Sequence, residues 1–370
     1  MRTATLPITF FHTDEVERQT AQPIATEAVT RGHSVRFSTD ILEPCVIGVY
    51  CQHESCPRHA DFSVVMLHDL AQGHNRWPDI WHNEPWDHFD LGILPDPSWS
   101  ARWQACSAAP YTRPRLGVFE LGWPKADALF PQSGDASEDS GLRRRLNLRH
   151  PHTILYAPSW ENDGKQEDFV QSLKGLPVNL LLKQAPWSPA YPEILSNIAA
   201  MNLHHRNLQE NIHIIDPALG IMDCLAIADL VVSEESSVLI EALLLNIPGI
   251  AVTDWPIPDC RPPRPPSVPF PFLIKTPKSA LKETVRQVLA DLGSHKKRLI
   301  AERDQQFSLL GSSSAAIIDV ITAGVHGEQP RIAPLTPQFS LRPEPPWKYW
   351  FRQAKTGKIY LKNTFTRHLP

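Results

Sequence analysis

The sequence of 370 residues lacks several features that would assign a protein to a class at once. It has no apolar run near the roughly 18 residues of a membrane-spanning helix. Its first eleven residues are too short and too lightly charged for a signal peptide. Positive charge is not in surplus either, with 36 Lys and Arg against 40 Asp and Glu. We therefore expect a cytoplasmic protein that does not bind nucleic acid.

Three catalytic signatures are also missing from the sequence. It contains no Gly-rich P-loop, no HExxH and no GxSxG. This excludes kinases of the P-loop type, zincin metalloproteases and α/β-hydrolases as models for its chemistry.

Cysteine is scarce, since six residues in this length do not form a disulfide framework, which agrees with a reducing compartment. Four potential zinc ligands, Cys51, His53, Cys56 and His59, fall within nine residues. Their spacing matches neither the CxxC pairs nor the long insert of structural zinc sites. We expect free thiols and a solvent-facing loop here, with zinc binding as the alternative.

Proline, in contrast, is abundant, with 36 residues, almost twice the usual share of about 5%. Fourteen Phe and eleven Trp argue against wholesale disorder. Nine of the prolines lie between Pro256 and Pro277, where neither a helix nor a central strand is compatible with them. The sequence predicts a loop without regular secondary structure over Trp255–Pro271.

Short apolar runs alternate with helical stretches, a pattern typical of doubly wound α/β domains with parallel sheets. The predicted strands are Leu6–Phe11, Val35–Ser38, Ser63–Leu67, Leu91–Leu94 and Leu116–Phe119, then Thr153–Tyr156, Val178–Lys183, Ile212–Ile215, Leu230–Ser233 and Gly249–Val252. Two such domains are expected, over residues 1–130 and 131–326, with a hinge at Phe130–Gly141. A Pro-rich connection and a tail occupy residues 327–370.

The tail has a distinct composition, because Leu341–Pro370 contains seven Lys and Arg against one acid, interleaved with Trp and Tyr. This pattern suits an anionic membrane surface. A terminal helix packed on the body of the protein is the alternative.

The segment Ile221–Val252 carries the clearest chemical signal. It reads as a helix, a strand, an acidic-Ser-Ser turn and a second helix that ends before Pro248. Ser236 and Ser237 are placed to donate to phosphate oxygens, and Glu241 to accept from ribose hydroxyls. The alternative is that the serines only cap the helix and that Glu241 is exposed.

This segment resembles the CDP-glycerol glycerophosphotransferase family, the teichoic-acid-polymerase-like enzymes. Ala228-Asp229, the Ser236-Ser237 pair and Pro248 match the family motif, and Glu234 stands where the family has Asp. Other segments similar to family motifs follow the same order along the chain: Ser63–Gly73, Phe89–Trp99, Leu121–Asp127, Ile154–Trp160, Leu181–Pro186 and Gly311–Ser314.

The resemblance implies a GT-B fold, with two Rossmann-like domains facing across a cleft, the nucleotide on the second and the acceptor near the first. It implies transfer of a polyol phosphate from a CDP-activated donor to a hydroxyl of a cell-surface polymer or glycolipid at the inner membrane face, without a metal or other cofactor. His68 is the implied base, with Asp69 beside it. The implied nucleotide and phosphate ligands are Ser159, Lys183, Glu234, Ser236, Ser237, Glu241 and Ser314.

The sequence also departs from the family pattern. Asp69 and Asp96 replace glycines, and a histidine after Lys183 and an arginine near Ser314 are missing. Two alternatives therefore stay open: a nucleotide-sugar glycosyltransferase or UDP-sugar 2-epimerase of the same fold, and a catalytically degenerate binding protein.

Overall fold

The computed structural model describes residues 5–51, 54–71, 81, 86–130, 141–206 and 210–339. Within these ranges the chain forms two compact units. The first contains described residues up to 70, residues 81 and 86–130, and residues 306–339. The second contains residue 71 and residues 141–206 and 210–305.

The first unit is built on a six-stranded parallel sheet in the order β2-β1-β3-β4-β5-β6. Its strands are β1 Pro7–Phe11, β2 Ser34–Ser38, β3 Cys45–Tyr50, β4 Ala60–Met66, β5 Leu91–Leu94 and β6 Val118–Glu120. The central strands are buried along most of their length, as in Val49 and Val64, because helices cover both faces of a parallel sheet.

The second unit repeats this architecture, with a parallel sheet in the order β12-β11-β10-β7-β8-β9. Its strands are β7 His152–Tyr156, β8 Val178–Lys183, β9 Ile212–Ile215, β10 Leu230–Ser233, β11 Gly249–Val252 and β12 Ile274–Thr276. The order corresponds to the doubly wound arrangement in which the topology reverses between β7 and β10. The predicted fold class is confirmed.

The α-helices of the described residues are α1 Glu15–Thr30, α2 Pro97–Cys106, α3 Leu142–Arg145, α4 Lys165–Leu173, α5 Pro192–His205, α6 Ile221–Leu225, α7 Val238–Leu244, α8 Leu281–Ala290, α9 Leu292–Gln306 and α10 Ser313–His326. The predicted domain limits place α10 in the second domain. In the structure it packs in the first unit, where Ile317, Ile318 and Ile321 join the core of β1, β3 and β4. The apolar face of α10 thus completes the first unit's core.

Two strands were not predicted from the sequence. Strand β3 contains Gly48, and glycine has low strand propensity. The strand ends directly before Cys51, in the segment for which the sequence predicts a loop. Strand β12 has only three residues and follows the Pro-rich segment. Strand β12 therefore lacks the apolar run on which the prediction relies, whereas in β3 Gly48 interrupts such a run.

The prediction of free thiols is correct, and the prediction that the Cys51–His59 segment faces solvent is wrong for its cysteines. All six cysteines are free. Cys51 and Cys56 are buried, not solvent-facing, and Cys56 packs among the apolar residues beside β4. Nδ1 of His59 lies 2.6 Å from the Leu42 carbonyl oxygen. His53 lies outside the described residues.

The Pro-rich segment behaves as predicted. Trp255–Pro271 holds no helix or strand, only an isolated bridge between Ile257 and Arg264. The hinge prediction falls mostly on residues 131–140, and the basic tail on residues 341–370, both outside the described residues. Among the residues that the structure describes, no helix has the length and apolar character needed to cross a membrane.

Candidate functional site

The candidate residues gather at the carboxyl ends of the parallel strands, the edge at which open α/β sheets bind ligands. In the first unit His68 follows β4. In the second unit Ser159 follows β7, Lys183 ends β8 and Glu234 follows β10. The β7 and β10 positions flank the point where the strand order reverses.

His68 is a buried histidine, only 7% exposed. Burial lowers the pKa of its imidazole to about 4, an effect that the Asp14 carboxylate opposes and the Lys125 cation reinforces. Its Nδ1 lies 3.8 Å from Oε1 of Glu17. His68 is therefore neutral at pH 7, the protonation state that a general base requires.

Glu17 is a candidate functional residue that the sequence reasoning missed. It is 1% exposed and lies in the first turn of α1, after β1. Its Oε2 accepts hydrogen bonds from the backbone N–H and the hydroxyl of Thr13, at 2.6 and 3.0 Å. Its own N–H donates to the N-cap residue Asp14. The Asp-x-x-Glu spacing at a helix start, a capping signature, was the available signal.

The two carboxylates that replace family glycines have different surroundings. Asp69 is half-buried and stabilises the cation of Arg102, whose pKa is nevertheless lowered by burial. Asp96 is fully buried and caps α2, where Oδ1 accepts from the N–H of Trp99 at 2.8 Å. Burial raises the pKa of Asp96 to about 6. Asp96 thus has a structural role in starting a helix.

Two of the family-like motifs meet in the first unit. Both oxygens of Asp127 accept hydrogen bonds from the first turn of α10, one from the N–H of Ser313 at 3.0 Å and one from the N–H of Ser314 at 2.7 Å. Gly122 lies where a Cβ would come within 2.3 Å of the Ser313 hydroxyl. Ser314 therefore belongs to the first unit, and its role as a phosphate ligand stays a prediction.

Glu234 organises the loop that follows β7. Its carboxylate accepts from the N–H and hydroxyl of Ser159 and from the N–H of Trp160, each at 3.1 Å. The Ser233 hydroxyl donates to it as well, at 2.8 Å. The structure thus brings Ser159 and Glu234 together, with Glu234 turned toward the protein's own loop.

Lys165, also missed from the sequence, completes this cluster. Its Nζ lies 2.9 Å from Oε1 of Glu234, and both side chains are fully buried. Nζ also donates to the Trp160 carbonyl at 2.9 Å. Burial alone would raise the pKa of Glu234, but the Lys165 charge and the donors outweigh it and lower that pKa. No local motif marks Lys165, because its partner lies 69 residues away.

The Ser-Ser turn is compact and partly exposed. The Ser236 hydroxyl accepts from the N–H of Val238 at 3.3 Å, and the Ser237 carbonyl accepts from the N–H groups of Ile240 and Glu241. Ser236 and Ser237 are half-buried, whereas Glu241 is 1% exposed. The alternative of an exposed Glu241 is therefore wrong.

Lys183 lies at the end of β8 and is 5% exposed. Its Nζ donates to the carbonyl oxygens of Gln184 and Pro217, at 2.8 and 2.9 Å. These contacts fix the ammonium group at the carboxyl edge of the second sheet.

Glu235 anchors the Pro-rich segment to the strand end. It forms a bidentate ion pair with Arg264, at 2.6 and 2.8 Å, and Arg264 also pairs with Asp259 at 2.8 Å. Ser267 donates its N–H to Glu235 at 2.8 Å. Although burial opposes it, the two carboxylates raise the pKa of Arg264. This arginine, also missed from the sequence, fixes the loop beside the Ser-Ser turn.

Part of the chain matches the model of a known protein family. The model of the family "CDP-Glycerol:Poly(glycerophosphate) glycerophosphotransferase" matches residues 82–256, a segment that contains Ser159, Lys183, Glu234 and the Ser-Ser turn but not His68. No curated protein sequence matches the chain. The family resemblance inferred from the motifs is confirmed over the matched segment.

Several solved structures are similar to the chain. The wall teichoic acid polymerase TagF is 14% identical, with a TM-score of 0.60 over 87% of this chain and 89% of the other. A TagF variant soaked with CDPG is 13% identical, with a TM-score of 0.60 over 87% of this chain and 89% of the other. A Listeria monocytogenes protein described as a candidate UDP-N-acetylglucosamine 2-epimerase is 12% identical. Its TM-score is 0.57 over 90% of this chain and 100% of the other. At these identities the likeness shows the GT-B-like fold.

Proposed function

We propose that this chain, whose residues 82–256 match the glycerophosphotransferase family, transfers a polyol phosphate from a CDP-activated donor to an acceptor hydroxyl. The bond that forms joins the acceptor oxygen to the phosphorus that carries the polyol. The bond that breaks joins that phosphorus to CMP, which leaves. The acceptor is a cell-surface polymer or glycolipid, and the reaction takes place in the cytoplasm at the inner membrane face, with the basic aromatic tail as the proposed membrane contact.

His68 supports this proposal as the general base. Its imidazole is neutral at pH 7 because burial lowers its pKa to about 4, so its free nitrogen can accept the proton of the acceptor hydroxyl. The same shift makes it a weaker base than an ordinary histidine. Asp69, which follows it in the chain, is proposed to help orient it. Glu17, 3.8 Å from Nδ1, acts as a positioning residue that stabilises the imidazolium formed when the proton is transferred.

The second unit supplies the proposed nucleotide site. Glu234 and Lys165 hold the Ser159 loop in place, and the half-buried hydroxyls of Ser236 and Ser237 follow β10 at the switch point of the sheet. Ser159, Lys183, Glu234 and Glu241 are the other proposed ligands in this unit. Ser314, in the first unit, stays a predicted phosphate ligand. Hydroxyl and N–H donors of this kind stabilise phosphate oxygens without a metal ion.

A panel of nucleotides tests the donor assignment. CDP-glycerol, CDP, UDP and UDP-N-acetylglucosamine would be titrated into the full chain by calorimetry, with thermal melting in parallel, since a ligand of the native state raises the melting temperature. We expect heat and stabilisation from the two cytidine compounds only. Preference for the uridine compounds would support a nucleotide-sugar enzyme, and no binding at all would support a degenerate binding protein.

A Ser236→Ala and Ser237→Ala double variant separates the site from the fold. We expect CDP-glycerol affinity to fall at least about 100-fold, since two hydrogen bonds to charged oxygens contribute roughly 1.5–3 kcal/mol each. Ser188→Ala, a change in the loop after β8, is the matched control. Equal affinity in the double variant would exclude the Ser-Ser turn from the nucleotide site.

A further inference from the structure

Three potential metal ligands converge between two helices of the second unit. Glu167 lies in the first turn of α4, and His204 and His205 are the last residues of α5. Their ligand atoms all lie within 4.8 Å of one another. Both imidazoles face the same carboxylate oxygen: Oε2 of Glu167 is 2.6 Å from Nε2 of His205 and 3.2 Å from Nε2 of His204.

The two separations from Glu167 are close to those of a metal site. Zinc binds imidazole nitrogen and carboxylate oxygen at about 2.0–2.2 Å, so ligand atoms in a tetrahedral site lie roughly 3.3 Å apart. The 3.2 Å separation already fits. The 2.6 Å separation requires the Glu167 and His205 side chains to part by less than 1 Å, a small change for a carboxylate that is 33% exposed.

The second nitrogen of His205 is also held in place. Nδ1 lies 2.9 Å from Nε2 of the Gln166 side chain, and the His205 side chain is fully buried. An amide presents either a donor or an acceptor according to its orientation. The side-chain nitrogen of Gln166 is the atom that faces Nδ1, so a metal at Nε2 requires this amide to turn its oxygen toward Nδ1. The amide oxygen would then hold the Nδ1-protonated tautomer, as outer-shell partners of ligating histidines do.

Exposure and charge are suited to an ion that enters from solvent. His204 is 52% exposed and Glu167 33% exposed, in contrast to the buried His205. The site therefore combines one carboxylate and two imidazoles at a place that solvent reaches.

We infer that Glu167, His204 and His205 bind a divalent transition-metal ion of the zinc class between α4 and α5. Two imidazoles and one carboxylate suit Zn²⁺ and leave its fourth position to water. The ion would cross-link α5 to α4, the helix that begins with Lys165, the partner of Glu234. The inference stands apart from the proposed transfer reaction.

Calorimetry with ZnCl₂ on the untagged full chain, stripped with a chelator and dialysed, tests the site. We expect one equivalent of zinc to bind and to raise the melting temperature. His204→Ala and Glu167→Gln should each weaken binding at least about tenfold. His326→Ala is the matched control, since His326 is also an exposed histidine that ends a helix, and should bind as the wild type does.

His204→Ala removes an exposed side chain, so its melting temperature in chelator should match that of the wild type. Co²⁺ gives a second readout, because tetrahedral nitrogen and oxygen ligation produces visible absorption that both ligand variants should lose. The inference is overturned if the wild type binds no zinc, or if His204→Ala and Glu167→Gln bind it like His326→Ala, which would place the metal elsewhere.

Discussion

The carboxyl edges of the two parallel sheets hold their titratable side chains in different surroundings. In the first unit, His68 is buried with Glu17 at 3.8 Å, beyond hydrogen-bond length. In the second, Glu234 accepts five hydrogen bonds of 2.8–3.1 Å from Ser159, Trp160, Lys165 and Ser233. Burial keeps the imidazole of His68 neutral, whereas five donors hold the carboxylate of Glu234 against its own loop.

This difference separates two kinds of contribution. The Glu234 cluster contributes to stability and geometry, because its charges are paired and its acceptors are satisfied. His68 is kept neutral by burial, which lowers stability at low pH and leaves the imidazole unprotonated at neutral pH. Each of the four predictions below concerns a residue at one of these sheet edges and leaves the other edge unchanged.

The largest effect is expected from His68→Gln. Loss of a general base lowers turnover by about 10²–10⁴-fold, while nucleotide affinity should change little, because the proposed nucleotide site lies in the second unit. Steady-state assay of CMP release, with calorimetry for binding, measures both. A variant that keeps full turnover would remove His68 as the base.

Lys165→Met should affect stability instead. It leaves the fully buried Glu234 without its cation, and breaking a buried pair costs about 3–5 kcal/mol. Urea denaturation gives the free energy of unfolding. Lys278→Met is the control: its pair with Asp168 has side chains 49% and 33% exposed, so it should cost less than about 1 kcal/mol.

A double variant tests whether the buried charge is the cause. Adding Glu234→Gln to Lys165→Met removes the unpaired carboxylate, so the double variant should be more stable than Lys165→Met alone. If it is less stable, packing of the lysine chain accounts for the loss and the electrostatic explanation is wrong.

The third prediction concerns pH. Between its ordinary pKa near 6.5 and the folded value of about 4, His68 binds a proton in the unfolded chain but not in the folded protein. Folding stability therefore falls as pH drops below about 6.5. At pH 5 the wild type should lose about 2 kcal/mol that His68→Gln does not lose. Urea denaturation of both proteins at pH 7.5 and pH 5 measures this difference, and parallel losses would contradict a buried neutral imidazole.

Glu17→Gln should give the smallest effect. It keeps the size of the side chain and removes its charge, so turnover should fall on the order of tenfold, as expected for a supporting residue. Nucleotide affinity should be unchanged. Arg18→Gln, at the neighbouring position in an exposed pair with Glu15, controls for the helix. If Glu17→Gln shows wild-type turnover at every pH, Glu17 only caps α1.

The features predicted correctly depend on residues that are neighbours in the sequence. Strands such as β8 and β10 follow from their apolar runs, and the loop at Trp255–Pro271 from its prolines. The partners of the site residues were not predictable: Lys165 meets Glu234 across 69 residues, and Arg264 meets Glu235 across 29. Such pairs depend on how the strands are ordered, which periodicity does not encode. The packing of α10 in the first unit was missed for the same reason.

Transfer of radiolabelled glycerol phosphate from CDP-glycerol to a glycerophosphate-primed acceptor tests the central claim most directly. The wild type should release CMP and label the acceptor in equal amounts, and His68→Gln should bind CDP-glycerol but label the acceptor at least about 100-fold more slowly. Labelling from UDP-activated sugars but not from CDP-glycerol, or none from either donor, would contradict the account.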